Sequence, residues 1–360
     1  MQIFDIAVVG GGPAGSAFAM GLDKRFSVAL IDLKTGHGSF FRKPCGGLLS
    51  PDAQKILGEL GLTVPESVFV PPQLFSVRTL DVRSGIVRRY RRMYLNVDRH
   101  GFDMWLRGLA EEKAVVYEGS KAVSVSRVCI EEKSVFEISF VRDGKRESIF
   151  ARCVTGADGA NSVVRKFLGK RLRTRRYIAI QQQFSSDRPD PFYSCVFDSS
   201  ATDCYSWGLH KSDRFIFGGA YPVNGCREAF ERQKNILTGY GFTFGEPVLT
   251  EGCMVLRPSG FSSFDTGKDG VFFIGEAGGF ISPSSLEGIS SAIITGTELA
   301  SAFNSVKDFD LISVRKKYRR AVLPLKIKLT AKLLKCPFMY NPFLRKLVMA
   351  SGVMGLRDSK

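Results

Sequence analysis

The chain of 360 residues has no C-x-x-C pair; its eight cysteines, at positions 45, 129, 153, 195, 204, 226, 253 and 336, are dispersed. That spacing argues against a zinc site and suits thiols kept reduced in the cytosol. No apolar run reaches the length that crosses a bilayer. A core strand beginning within four residues of Met1 leads us to expect no cleavable signal peptide, and so a cytoplasmic protein, soluble or peripheral on the cytoplasmic face of a membrane. No internal repeat and no low-complexity segment is visible. Acidic residues are in short supply: 35 Asp and Glu against 51 Lys and Arg, a formal charge of +16. Such an excess favours an anionic partner. The basic residues are spread over several segments without a nucleic-acid-binding fold, so no nucleic acid is expected. Histidines number three, and His100 reads as structural. Length and an ordinary 44% hydrophobic content predict about two domains and a large core.

What is present begins at once. Residues 4–9 are a short apolar run rich in β-branched side chains, a buried parallel strand. Gly10, Gly12 and Gly15 follow in G-x-G-x-x-G spacing, and residues 17–22 read as a helix. Gly10 allows the tight turn, Gly12 lets a pyrophosphate approach the backbone, and Gly15 lets helix and strand pack closely. Free N–H groups at the helix start hold phosphate charge. A second strand, 27–31, ends at Asp32, whose carboxylate is placed to accept from ribose hydroxyls. Strand, triplet, helix, strand and acid in register predict a dinucleotide-binding, Rossmann-like domain.

Two further glycine turns recur at strand ends. Residues 40–51 form a loop, broken by Pro44 and by Gly46-Gly47, with Cys45 between them and Ser50-Pro51 opening a helix. Residues 75–82 and 86–97 predict a hairpin, and a helix begins near Arg99, placed to reach a phosphate. A hairpin around Asp143-Gly144 runs into Gly156-Ala157-Asp158-Gly159, where Asp158 reads as an Asx turn and Ser162 as a helix cap. Strands at 177–184, 193–198, 204–209 and 214–220 predict an antiparallel sheet, with Tyr205 and Trp207 alternating onto one face and Phe217 on its own strand. The strand 271–274 leads into Gly275-Glu276-Ala277-Gly278, followed by Leu286-Glu287-Gly288-Ile289 and a helix over 290–302. From residue 314 onward, basic and large apolar residues interleave at helical spacing.

These stretches together resemble the geranylgeranyl reductase family of FAD-dependent oxidoreductases, whose fold is that of para-hydroxybenzoate hydroxylase. The likeness rests on Gly10–Gly15 with Asp32, on Lys43-Pro44-Cys45-Gly46-Gly47, on Gly156–Gly159 with Arg165, and on Gly275–Gly278 with Leu286–Ile289. It implies an α/β (α+β two-domain) architecture: a Rossmann-like FAD-binding domain interleaved with an antiparallel-sheet substrate domain, then C-terminal helices. The division expected is 1–73, 98–164 and 265–312 for FAD, 74–97 and 165–264 for substrate, and 313–360 as a basic amphipathic end. The resemblance further implies that Gly10, Gly12, Ala14 and Gly15 hold the pyrophosphate and Asp32 the ribose. Arg99, Asp158 and Gly159 would lie at the cofactor, Gly275 and Glu276 at the ribityl chain, and Gly288 and Ile289 near the flavin pyrimidine. The chain departs from the family pattern where Glu276 replaces the usual aspartate, and where Tyr205-x-Trp207 runs into Leu209-His210 instead of Phe-Pro.

The expected reaction is hydride transfer from reduced flavin to a carbon–carbon double bond of an isoprenoid lipid. Cys45, Gly46 and Gly47 would position groups at the flavin face, and Tyr205, Trp207 and Phe217 would line the substrate. The electron donor is open between NAD(P)H and ferredoxin. The alternatives are a monooxygenase on the same fold and a flavin-bearing redox sensor at the membrane. The 314–360 segment, broken by Pro324, Pro337 and Pro342, is expected to lie along an anionic membrane surface or to pack on the substrate sheet.

Overall fold

The computed structural model describes residues 2–36, 42–187, 191–352 and 355. Phe40 and Phe41 of the loop read above, and the last residues of the 313–360 segment apart from Gly355, lie outside them. The chain divides into two compact units. The first is Met1–Arg42, Asp103–Arg175 and Leu256–Lys332; the second is Lys43–Phe102, Arg176–Val255 and Leu333–Lys360.

The first unit is built on five neighbouring parallel strands, in the order Val271–Phe273, Lys145–Gly156, Ile3–Val9, Val28–Ile31 and Val115–Tyr117. Ile6, Ala7, Val8 and Leu30 are fully buried because a parallel sheet is covered on both faces. An antiparallel meander, Lys121–Ile130 and Lys133–Arg142, joins the sheet through the long strand Lys145–Gly156. Its second turn is Asp143-Gly144, both residues at positive φ, as the predicted two-residue hairpin needs. Its first is Glu131-Glu132, also at positive φ, which carries no glycine to announce it.

On one face the fingerprint helix, Pro13–Met20, packs against the helix Ile289–Asn304. A Cβ at Gly296 would stand 2.4 Å from the Ala14 carbonyl oxygen, so glycine there lets the two helices touch. The helices Leu311–Ala321 and Leu323–Ala331 close the same core with Val314, Tyr318, Leu325 and Leu329.

The second unit is an eight-stranded sheet in the order 249–258, 174–185, 214–222, 206–211, 193–197, 74–81, 86–96, 48–49. The 174–185, 214–222, 206–211 and 193–197 strands are antiparallel in sequence. Tyr193–Phe197 and Leu74–Asp81, however, pair in parallel, which the hairpin spacing alone did not predict. The helix Cys226–Thr238 covers one face through Phe230 and Leu237.

Unit boundaries differ from those expected: residues 43–73 and 98–102 fall in the second unit, and 165–175 and 256–264 in the first. Leu48 and Leu49 pair with Asn96 and Leu95, so the Cys45 loop belongs to the second sheet and not to the first domain. The C-terminal segment divides at Lys332 rather than acting as one body.

Candidate functional site

The first unit assembles its site around the fingerprint. Gly10 has φ +105°, and a Cβ there would lie 2.5 Å from the Ala157 oxygen; one at Gly15 would lie 1.9 Å from the Gly10 oxygen. Both glycines are therefore fixed by protein packing. Gly12 is different. Among the described residues, the single atom within 4 Å of its Cβ position is the Lys34 ammonium nitrogen, at 3.7 Å. The backbone at the start of the fingerprint helix is thus left open on the side where a phosphate would approach. Gly11 is also explained, since a Cβ would stand 2.7 Å from the Asp32 Oδ2.

Asp32 ends its strand 4% exposed, and among the described residues none donates a hydrogen bond to its Oδ2. Burial raises its pKa, while Lys34 and Arg107 oppose that shift. A buried carboxylate oxygen without a donor is costly unless a ligand hydroxyl completes it. Ribose hydroxyls are such donors, and the open Gly12 backbone accommodates the adjoining phosphates. The residues of the first unit therefore fit an adenine dinucleotide, the group to which Asp32 was matched.

Around this carboxylate stands a charged network that reading the motifs alone missed. Lys34 Nζ donates to the Asp103 Oδ2 at 2.5 Å. Arg107 lies 3.7 Å from the Asp32 Oδ2 and donates to the Lys34 oxygen at 2.8 Å and to Glu118 at 2.9 Å. Asp103 and Arg107 are four apart on the helix Arg99–Glu111, hence on one face. That spacing puts the two on one face of the helix but does not name the strand-end residues they meet.

The other first-unit candidates also converge. Gly275, at φ +55°, would place a Cβ 2.9 Å from that of Ala14, and its N–H donates to the Thr295 Oγ1. Asp158 accepts from the Val163 N–H at 2.6 Å, while its Oδ1 has no hydrogen-bond partner among the described residues; burial raises its pKa. Gly159 sits at φ +71° with no atom of the described residues within 4 Å of its Cβ position. Arg165 joins these turns, donating to the Ala160 and Ala277 carbonyls. Glu276 is buried and accepts from the Leu256 N–H at 2.8 Å. Gly288 is the N-cap of the Ile289–Asn304 helix, whose start no side chain caps, and Ile289 is buried behind it.

In the second unit, Gly46 would place a Cβ 3.4 Å from Leu209 and 3.8 Å from Trp207, so loop and aromatic strand are neighbours. The Gly47 N–H donates to the Cys45 Sγ at 3.5 Å. Gly47 has φ +60°, and its Cβ position is 2.5 Å from the Val97 oxygen and 3.4 Å from the Arg99 Cβ. Tyr205 packs edge-on to Trp207, whose Nε1–H donates to Gln181. Phe217 is not part of this wall. It pairs opposite Gly208 while Trp207 pairs opposite Gly218, so its ring points to the other face, fully buried against Phe230, Phe242 and Phe244.

Lys211, not anticipated from the sequence, clamps this loop. Its ammonium donates to the Asn96 Oδ1 at 2.7 Å, to the Val97 oxygen and to the Gly47 oxygen. Burial lowers its pKa from 10.5 to about 8, against the opposing effect of Cys45 and Asp98. Because the folded value is the lower one, the charged lysine destabilises the fold fully below pH 8, and this penalty is relieved as pH rises toward 10.5. Unfolding of the protein and of Lys211→Met should therefore diverge with pH, the wild type gaining relative stability between about 8 and 10.5. Parallel urea midpoints across that window would refute the assignment.

No family model matches the chain. Protein CbrA of Escherichia coli K12 is 44% identical over 361 residues, covering all of both chains. The CbrA of Shigella sonnei matches to the same extent. The chain belongs to the CbrA family. Among solved structures, a geranylgeranyl bacteriochlorophyll reductase-like protein from Thermoplasma acidophilum matches with a TM-score of 0.78 and 22% identity, over 97% of this chain and 91% of that one. A Klebsiella pneumoniae HpxO variant, solved with FAD, gives 0.66 and 16% over 98% and 93%. A variant of the flavin-dependent brominase Bmp2 gives 0.70 and 20% over 98% and 93%. At these identities the likeness is one of fold. The CbrA-family chain has the mixed α/β two-sheet fold of FAD-dependent reductases and hydroxylases, ending in helices. Among its described residues no helix is long and apolar enough to cross a membrane.

Proposed function

We propose that this CbrA-family protein binds FAD and reduces carbon–carbon double bonds of an isoprenoid lipid. The observation that carries the cofactor assignment is the pairing of an open Gly12 backbone with an Asp32 oxygen lacking a donor. Bound there and reduced by an external two-electron donor, the flavin would supply the hydride that one alkene carbon receives, while a proton would be taken up at its neighbour. The chain's own part is to hold and exclude. Gly10, Gly12, Ala14 and Gly15 seat the diphosphate, and Asp32 takes the ribose. Support for an apolar substrate comes from the second unit, where Trp207 and Leu209 flank Gly46 beside Cys45. Polar substrates would find few partners on such a surface. Cys45 has a positioning role in this reading, with Lys211 holding its loop.

Anaerobic incubation of the dithionite-reduced protein with geranylgeranyl lipids tests the proposal. Mass spectrometry should show two hydrogens gained per saturated bond. Cys45→Ala should lower the number of bonds saturated by about tenfold in rate, with flavin absorbance unchanged. That factor is on the order of 1.4 kcal/mol in barrier height. An oxygen atom found in the product under air would favour the hydroxylase instead.

A further inference from the structure

The C-terminal helices of the second unit carry an apolar strip that the proposed chemistry does not use. The helix Pro342–Ala350 turns Arg345 and Met349, four residues apart, into the protein. The opposite spacing, Phe343 and Leu347, faces solvent at 68% and 54% exposure, with Val348 beside them. The short helix Cys336–Tyr340 is tied to it by Arg345, which donates to the Met339 oxygen, and adds Phe338; Leu334 precedes it at 76% exposure. A cluster of large apolar side chains of this kind on a surface marks an interaction site.

Its electrostatic setting selects the occupant. From residue 333 to 357 the sequence holds four lysines and arginines and no aspartate or glutamate. Within the strip, Lys335 and Lys346 are exposed next to the apolar residues. We propose that this strip is a docking surface for an anionic lipid bilayer, with Phe338, Phe343 and Leu347 entering the interface and Lys335 and Lys346 meeting the headgroup charge. A second copy of the chain would set like charges against each other. Nucleic acid would satisfy the lysines and leave the apolar side chains in water. A bilayer surface offers both halves of the match, and helices of nine and five residues lie along it rather than through it. Nearer the start of the segment, Val314, Leu325 and Leu329 are core and take no part in such a surface.

The test is cosedimentation of the flavin-loaded full chain with phosphatidylcholine vesicles, with and without phosphatidylglycerol. Binding should require phosphatidylglycerol and weaken with salt. Phe343→Ser with Leu347→Ser should reduce it at least tenfold, and Lys335→Gln with Lys346→Gln should reduce it and flatten the salt dependence. Both double variants should keep flavin and hydrodynamic radius, since the four side chains are exposed. Undiminished binding by the serine variant would overturn the proposal. So would self-association of the wild type abolished by the same substitutions, or retention on RNA in place of vesicles. None of these readouts depends on which lipid, if any, the flavin reduces.

Discussion

Gly12→Val should yield a folded protein that has lost its flavin. Among the described residues the valine Cβ meets only the Lys34 ammonium, at 3.7 Å, and that nitrogen ends a flexible side chain. No other atom of the described residues stands within 4 Å of that Cβ, whereas the valine methyl groups fill the space through which a diphosphate would reach the helix N–H groups. We expect affinity for FAD to fall by roughly a hundredfold or more, equivalent to about 2.7 kcal/mol. Gly15→Ala provides the contrast: its Cβ would collide with the Gly10 oxygen at 1.9 Å, so that variant should be lost as protein. Flavin absorbance after gel filtration, read beside far-ultraviolet circular dichroism, separates the two. A folded Gly12→Val that stays fully yellow would end the dinucleotide assignment.

The difference between those glycines also shows what a sequence discloses. The G-x-G-x-x-G spacing marks all three, because the strand, turn and helix that need them are contiguous. It does not say which is held by packing and which is held open. The same boundary separates Asp32, found from its distance along the chain, from Lys34, Asp103 and Arg107, which meet only when strand and helix are assembled. Lys211 was hidden for a related reason: its three acceptors, at Gly47, Asn96 and Val97, come from more than a hundred residues away.

Period-two alternation in the second sheet placed Tyr205 and Trp207 together but could not orient Phe217. Which face a strand presents depends on register with its neighbour, here Gly208 opposite Phe217. In the C-terminal segment, the interleaving of basic and large apolar residues from residue 314 onward does not say which apolar side chains turn inward. On a helix, residues four apart share a face, so Leu325 and Leu329 turn inward while Leu323 and Ile327 stay exposed.

The largest stability effect we expect outside the cofactor cradle is at Arg345. Its guanidinium donates twice to the Asp81 Oδ1, at 3.0 and 2.5 Å, and once to the Met339 oxygen; arginine and aspartate side chains are 5% and 0% exposed. The Asp81 Oδ2 accepts from Ser84, at the turn that joins the strands Leu74–Asp81 and Ile86–Asn96. The pair thus pins the terminal helix to a sheet hairpin. Arg345→Met keeps most of the side-chain volume and leaves Asp81 charged without its counter-ion. Removing one member of a buried ion pair typically costs 3–5 kcal/mol, about the size of a small domain's net stability. Arg345→Met should therefore lower the urea midpoint sharply. Adding Asp81→Asn should recover part of the loss, because the second change removes the stranded charge while an amide can still meet Ser84. Full additivity of the two substitutions would show that the charges are solvated and uncoupled. Recovery in the double variant would instead locate the energy in the unpaired carboxylate, and would predict that the apolar strip on the same helix detaches when Arg345 alone is replaced.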